Sequence, residues 1–273
     1  MPADLSRLCI HSITTKPWSL ATALDRYAAA GVGGISIWQD AAQATGLKEA
    51  RKLLDASPIE VVSYVRGGFF PHASRAAREK ALDDNRAMLD EAAELGAPLL
   101  VLVCGAEPAQ PLAESRRQIQ AGIESLVDHA RELGVGLAIE PLHPMYADTR
   151  SAINTLAQAN DLAEAINDPS VGVAVDVYHL WWDPGLESEI LRCGAQKNLF
   201  AFHICDWRVP TEHMLLDRGL MGEGCIDVPQ IRSWVEAAGF TGYHEVEIFS
   251  ERHWAKEQSA FLAEIVQAYR EKS

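Results

Sequence analysis

The sequence predicts a single (β/α)8 TIM barrel that spans residues 1–273. Eight short runs rich in β-branched residues alternate with eight segments whose apolar residues recur at helical spacing. Strict alternation implies parallel strands joined by right-handed crossovers, and such a barrel takes about 250 residues. A doubly wound open sheet is the alternative. It usually has a glycine-rich turn after its first strand, and residues 10–17 contain no glycine.

Each predicted element has its own local pattern. The strands are predicted at residues 8–14, 34–38, 60–65, 98–104, 135–140, 171–176, 199–204 and 243–249. The helices are predicted at residues 19–30, 43–56, 74–95, 111–133, 152–167, 184–193, 228–238 and 253–271. Glycines, which readily adopt the left-handed conformation beyond a helix, are expected to end five of them: Gly31, Gly96, Gly134, Gly194 and Gly239. Asp227 precedes Pro229 and is the predicted N-cap of its helix.

Composition and charge exclude several classes of protein. The chain has 24 Lys and Arg against 38 Asp and Glu, a net charge of −14, which disfavours nucleic-acid and anionic membrane partners. Five cysteines without a C-x-x-C pair match neither a disulfide framework nor a thiolate zinc site, and they favour a reducing cytoplasm. No apolar run reaches the ~20 residues of a membrane helix. We therefore expect a cytoplasmic protein with a small-molecule partner.

Four consecutive predicted strands end in polar residues. Glu140, Asp176, His203 and Glu247 end the fifth to eighth strands, and parallel strand ends share one rim of a barrel. Burying an isolated ionised carboxylate costs several kcal/mol of folding free energy. Three such carboxylates beside an imidazole therefore indicate that a bound cation compensates their charge. The sequence thus predicts one divalent metal ion held by these residues. Mn²⁺ fits the donor set best, with Co²⁺, Mg²⁺ or Zn²⁺ as alternatives.

The eighth strand offers a second glutamate. Glu245 has the same strand parity as Glu247 and is the alternative ligand, although Glu247 is preferred because it lies nearer the strand's carboxyl end. His244 has the opposite parity and is expected on the outside of the barrel.

Residues just beyond the strand ends are candidates to bind substrate. His143 and His179 each come three residues after a proposed ligand, where side chains contact substrate or orient the ligands. Arg66 and Arg208 are candidates either to bind substrate oxygens or to neutralise the carboxylates. Trp38 is one of several aromatic residues expected near the rim, where they can stack on a sugar.

The stretch after the seventh strand is long and polar. Asp206 follows His203 by three residues and so shares the candidate role of the two histidines. Arg218 and Glu223 lie in the loop 205–226 and are candidates for a lid.

Five motifs carry a family resemblance: Glu140-Pro141, Asp176-x-x-His179, His203-x-x-Asp206, Gly222-Glu-Gly-x-Ile-Asp227 and Val246-Glu-Ile-Phe249. With them the chain resembles the xylose isomerase-like TIM-barrel family over essentially its whole length. That family includes sugar-phosphate isomerases and epimerases, ketose 3-epimerases, inosose dehydratases and endonuclease IV-type repair enzymes. The resemblance implies the same four metal ligands and substrate contact by His179. As in the ketose epimerases, it implies Glu140 and Glu247 as the acid/base pair.

The expected activity is that of a divalent-metal-dependent isomerase or epimerase of a ketose or sugar phosphate, acting through an enediolate. A metal-dependent dehydratase or lyase of a keto-sugar or keto-inositol, like inosose dehydratase, is the alternative. Less favoured are a non-catalytic carbohydrate-binding barrel and a repair enzyme, whose additional histidines are not evident here. Homo-oligomer formation is left open.

Overall fold

Eight parallel strands close into a barrel among residues 5–273, which the computed structural model describes. The barrel strands are β1 (Leu8–His11), β2 (Gly34–Trp38), β3 (Glu60–Gly68), β4 (Leu99–Val103), β5 (Gly136–Glu140), β6 (Val171–Asp176), β7 (Leu199–Ile204) and β10 (His244–Val246). Their spatial order is β1-β10-β7-β6-β5-β4-β3-β2, with parallel pairing throughout. The predicted fold is confirmed.

Helices surround the barrel. They are α1 (Leu20–Ala30), α2 (Gln39–Thr45), α3 (Leu47–Asp55), α4 (Arg75–Leu95), α5 (Leu112–Glu124), α6 (Val127–Leu133), α7 (Leu156–Ile166), α8 (Val177–Leu180), α9 (Leu186–Ala195), α10 (Val228–Ala237), α11 (Glu251–Trp254) and α12 (Gln258–Lys272). Three predicted segments, 43–56, 111–133 and 253–271, each contain two helices instead of one. Between α2 and α3 the break falls at Gly46, whose φ of +83° interrupts the helix.

The predicted helix ends are largely confirmed. Gly31, Gly96 and Gly134 adopt left-handed conformations directly after α1, α4 and α6. Asp227 caps α10 by accepting a hydrogen bond from the Gln230 backbone N–H. The prediction for Gly194 is wrong, because this residue lies inside α9. A Cβ there would come within 2.2 Å of a backbone oxygen beyond α10, so this glycine allows close helix packing.

Small apolar side chains lie directly beneath the polar rim. Ala138, Ala174 and Ala201 are fully buried inside the barrel, two residues before Glu140, Asp176 and His203 on the same strand faces. The packed floor below the rim also includes Val65, Leu99 and Val101. Glu140, Asp176 and His203 therefore lie directly above an apolar layer on their own strands.

The sequence predicts neither a disulfide framework nor a membrane-spanning helix. All five cysteines are free thiols, four of them buried. Among the helices of residues 5–273, none has the length and hydropathy needed to cross a bilayer.

Candidate metal and substrate site

The four predicted ligands come together at the carboxyl end of the barrel. Each of Glu140, Asp176, His203 and Glu247 offers one donor atom, and these atoms all lie within 4.8 Å of one another. All four residues are buried. Glu140 and Asp176 end β5 and β6, and Glu247 follows β10 directly, where its backbone N–H still bonds the Ile204 carbonyl on β7.

Arg218 reaches into this cluster from the loop that follows β7. Its Nη1 donates to Asp176 Oδ2 at 2.9 Å and to Glu247 Oε2 at 2.7 Å, and the guanidinium is almost fully buried. The short ribbon of β8 (Asp206–Trp207) and β9 (Arg218–Gly219) holds Arg218 there, together with a bond from its backbone N–H to the Phe249 carbonyl. The sequence indicated Arg218 only as part of a lid, because no local spacing links it to the strand ends.

The two carboxyl groups bound by Arg218 differ in acidity. Burial raises the pKa of Asp176 to about 6 despite the opposing charge of Arg218. Burial also acts on Glu247, but Arg218 and His11 outweigh it and hold the pKa of Glu247 well below its usual value. Glu247 is therefore an anion throughout the physiological range.

Glu245 belongs to a second cluster, one layer deeper in the barrel. Its Oε2 accepts hydrogen bonds from Ser36 Oγ at 2.5 Å and Ser63 Oγ at 3.2 Å, and lies 3.1 Å from His11 Nε2. Glu245, His11 and His203 form a separate group of close donor atoms. The structure thus places Glu247, and not Glu245, beside the other three predicted ligands.

Two buried histidines lie between the carboxylates. His11 Nδ1 is 3.1 Å from Glu247 Oε1, and although burial disfavours its charged form, Glu247 and Glu245 raise its pKa. His203 Nδ1 lies 3.0 Å from Glu140 Oε1. Burial again opposes the charge, but Glu245 and Glu140 raise the pKa of His203 to about 10. His11 was not among the sequence candidates, because the predicted first strand, residues 8–14, continues beyond it, whereas β1 ends at His11.

The two predicted substrate histidines lie side by side. His179 Nε2 is 3.1 Å from Arg218 Nη2 and 3.7 Å from Asp176 Oδ2, and the His143 backbone N–H donates to its Nδ1. Burial, then the Arg218 charge, lowers the pKa of His179 well below its usual value. The His143 ring packs against Trp182 and Trp207, with centroids 5.7 and 5.1 Å away.

Arg66 and Trp38 lie on the opposite side of the mouth. Trp38 Nε1 is 3.2 Å from His11 Nδ1, and the Arg66 guanidinium lies 5.9 Å from the Trp38 ring centroid. Both residues line a cavity of about 900 Å³.

Three candidates from the loop after β7 are bonded within the protein. Arg208 pairs with Asp217 of the same loop, so the structure does not bring its guanidinium to the ligand cluster, and its contact with substrate stays a prediction. Asp206 accepts backbone N–H bonds from Trp207, Gly222, Gly224 and Ile226, which fixes the loop's shape. Glu223 binds Arg252 and His253 around α11 instead of entering the site.

The donor set fits a divalent cation. Three carboxylates and one imidazole suit a hard or borderline ion such as Mn²⁺, Mg²⁺, Co²⁺ or Zn²⁺. His203 Nε2 is buried without a hydrogen-bond partner among residues 5–273 and points toward Glu245 Oε2 at 3.7 Å. This ring therefore offers Nδ1 to the cluster while Nε2 faces a supporting carboxylate.

A family model described as the xylose isomerase-like TIM barrel matches residues 24–265. The crystal structure of protein SMc04130 from Sinorhizobium meliloti 1021 is 47% identical in sequence, with a TM-score of 0.95 over 98% of each chain. The IOLI protein structure with a bound zinc atom is 19% identical, with a TM-score of 0.85 over 96% of each chain, and shows a shared fold.

Two curated relatives are enzymes by name. Inosose isomerase from Bacillus velezensis is 26% identical over 194 residues, which cover 68% of this chain and 66% of that protein. The 3-dehydroshikimate dehydratase of Pseudomonas putida is 25% identical over 244 residues, or 85% of this chain but 36% of the relative. The chain therefore spans only part of either relative.

Proposed function

Because the chain belongs to the xylose isomerase-like TIM-barrel family, we propose that it is a divalent-metal-dependent isomerase or epimerase of a ketose or sugar phosphate, acting through an enediolate. The observation that carries this proposal is the buried group of four donor atoms within 4.8 Å, two of them from glutamates. The relative named inosose isomerase supports the same reaction class.

Glu140, Asp176, His203 and Glu247 are the proposed metal ligands. A bound divalent ion supplies Lewis-acid stabilisation for the negative oxygens that develop when a carbon next to a carbonyl loses its proton. Mn²⁺ is our first candidate. The zinc in the structural neighbour keeps Zn²⁺ as an alternative, beside Co²⁺ and Mg²⁺.

Glu140 and Glu247 are proposed to move the proton. Two strands, β6 and β7, separate β5 from β10 in the barrel, so the two carboxylates approach the site from different sides. The low pKa of Glu247 keeps it ionised, so it holds no proton that must leave before it accepts one from substrate. Proton return by the second glutamate to the opposite face gives epimerisation, whereas return to the neighbouring carbon interconverts aldose and ketose.

Arg218 and His179 are proposed to bind substrate oxygens beside these glutamates. Arg218 Nε is buried and has no hydrogen-bond partner among residues 5–273, so it retains a donor for a ligand. His143, Trp38 and the tryptophans around them would exclude water from the reacting carbon.

A dehydratase or lyase of a keto-sugar or keto-inositol is the second candidate. The 3-dehydroshikimate dehydratase relative favours it, because loss of a β-hydroxyl can follow the same proton abstraction. His179 then has the position to assist the leaving hydroxyl.

Turnover of a panel of ketoses, sugar phosphates and keto-inositols in D₂O tests both candidates. Epimerisation returns deuterium at the inverted carbon, whereas dehydration yields a product lighter by one water. Glu140→Gln and Glu247→Gln should each lower turnover by about 100-fold or more while keeping partial metal binding, because they remove a proton carrier. Glu124→Gln, on the exposed face of α5, is the matched control. Near-normal turnover in both site variants contradicts the two-glutamate mechanism.

A further inference from the structure

A cavity opens at the β2 and β3 side of the barrel mouth, and none of the four proposed metal ligands is among its lining residues. Its volume is about 900 Å³, and it begins at the barrel mouth with Trp38, Arg66 and Phe249. Its outer part, between α2 and α4, is lined by Lys80 and by three acidic residues, Asp40, Asp84 and Glu91. Lys80 is paired with Asp84, so the unpaired positive charge lies at the inner end. Trp38 links this cavity to the ligand cluster, because its Nε1 lies 3.2 Å from His11 Nδ1, and that nitrogen lies 3.1 Å from Glu247 Oε1.

Arg66 is the cation at the inner end of this cavity. Its guanidinium lies over Phe69 at 4.7 Å and Trp38 at 5.9 Å from the ring centroids, which fixes its plane without satisfying its N–H groups. Nη1 is buried and has no hydrogen-bond partner among the described residues. A guanidinium donor in such a position lacks an acceptor that a ligand can provide.

Arg150 adds a second positive charge nearby. It lies 5.7 Å from the Tyr146 ring centroid and forms no ion pair within residues 5–273. Burial lowers the pKa of Arg66, and the charge of Arg150 lowers it further. A bound anion would relieve the repulsion between these two guanidinium groups.

None of the protein's own carboxylates pairs with the Arg66 guanidinium among residues 5–273. Glu140, Glu247 and Asp40 are near enough to favour the charged form of Arg66, but within the part of the chain that the structure describes none lies within the 4.0 Å of an ion pair. This contrasts with Arg218, which contacts two carboxylates directly. Arg66 therefore keeps its hydrogen-bonding capacity for a ligand.

We propose that Arg66, assisted by Arg150, binds an anionic substituent of the substrate, either a carboxylate or a phosphate, while the keto group lies at the ligand cluster. A planar guanidinium matches both kinds of oxyanion with two parallel hydrogen bonds. This inference rests on the proposed function for the position of the keto group and narrows its substrate class to acidic keto compounds.

Calorimetric binding to the metal-loaded protein tests the proposal without requiring turnover. The ligands are D-fructose 6-phosphate for the phosphate, 3-dehydroshikimate for the carboxylate and D-fructose as the neutral reference. At least one of the two anionic ligands should bind about tenfold or more tightly than D-fructose, and which one does so identifies the anion. Arg66→Gln should remove that preference by weakening the anionic ligand far more than D-fructose, and Arg150→Gln should reduce the preference.

Lys80→Gln is the matched control, because it removes one positive charge from the same cavity at a residue already paired with Asp84. It should keep the anion preference. Equal weakening of neutral and anionic ligands in Arg66→Gln, or no preference in the wild-type protein, overturns the proposal. Arg66-dependent anion binding without deuterium exchange at any substrate carbon would instead overturn the proposed function and leave this inference standing.

Discussion

The mouth of the barrel has two unlike arcs. The carboxylate arc, at the ends of β5, β6, β7 and β10, carries Glu140, Asp176, His203 and Glu247. The support arc, on β1, β2 and β3, carries His11, Ser36, Ser63 and Arg66, which are hydrogen-bond donors or cations. One arc concentrates negative charge, and His11, Ser36 and Ser63 of the other contact the two glutamates of the β10 segment, Glu245 and Glu247.

The contacts between the arcs explain how so many carboxylates remain buried. Glu245 is held by Ser36, Ser63 and His11, and Glu247 by His11 and Arg218. Buried charges are tolerated when they are paired and hydrogen-bonded, and each of these is. The proposed ligands thus lie on one side of the mouth, and the strands on the other side supply hydrogen-bonding groups to the glutamates of the β10 segment.

Removing a ligand from the carboxylate arc should have the largest effect. We expect Asp176→Ala to abolish measurable metal binding, and to lower the free energy of unfolding by about 3 kcal/mol because Arg218 loses a buried partner. Elemental analysis and urea unfolding measure the two effects. Asp161→Ala, on the exposed face of α7, should change neither. Normal metal content in Asp176→Ala would remove this residue from the ligand set.

Replacing a residue that supports the proposed ligands should weaken metal binding less than replacing a ligand does. Glu245→Gln is expected to weaken metal affinity by about 10- to 100-fold, because His203 Nε2 then faces a neutral amide instead of a carboxylate. Competition with a fluorescent chelator gives the affinity. Ser63→Ala removes only one hydroxyl from Glu245 and should weaken binding less. A loss as complete as that of Asp176→Ala would make Glu245 a ligand and erase the distinction between the arcs.

The carboxylate arc was predicted from sequence, whereas Arg66 was the one member of the support arc among the sequence candidates. Glu140, Asp176 and His203 each end an apolar run, so strand position alone brings them to one rim. Arg218 could not be found in this way, because its place depends on how a long loop folds back over the barrel. The choice between Glu245 and Glu247 depended on the depth of each along the strand, which parity does not specify.

The helices show the same limit. The eight predicted helical regions account for eleven of the twelve α-helices in residues 5–273, because three regions are divided into two helices and α8 was not predicted. The break at Gly46 depends on a backbone angle that the periodicity of the neighbouring residues does not encode. Gly194 resembled a helix end and instead allows two helices to approach each other. Local sequence therefore predicted the elements better than their boundaries.

The two faces of β10 also differ. Its inward face carries Glu245, and its outward face carries a buried histidine, His244. His244 lies next to Glu245 but points away from the interior, as its parity predicted, and its Nδ1 is 2.8 Å from Tyr269 Oη on α12. Glu236 is 3.4 Å from its other nitrogen but is already paired with Arg7 and Arg232. Burial, and then these two arginines, lower the pKa of His244 to about 3.

This buried neutral histidine should make stability depend on pH. The unfolded chain takes up a proton near the ordinary pKa of about 6.5, whereas the folded protein does so only near 3, so its contribution is fully present above 6.5 and declines below it. Between pH 7 and pH 5 the wild-type protein should lose about 2 kcal/mol more unfolding free energy than His244→Gln. Urea unfolding of both proteins at the two pH values measures this difference, since the site's other titrating groups are common to both. Equal losses would mean that His244 carries a charge in the folded barrel, and that both sides of β10 hold ionised groups.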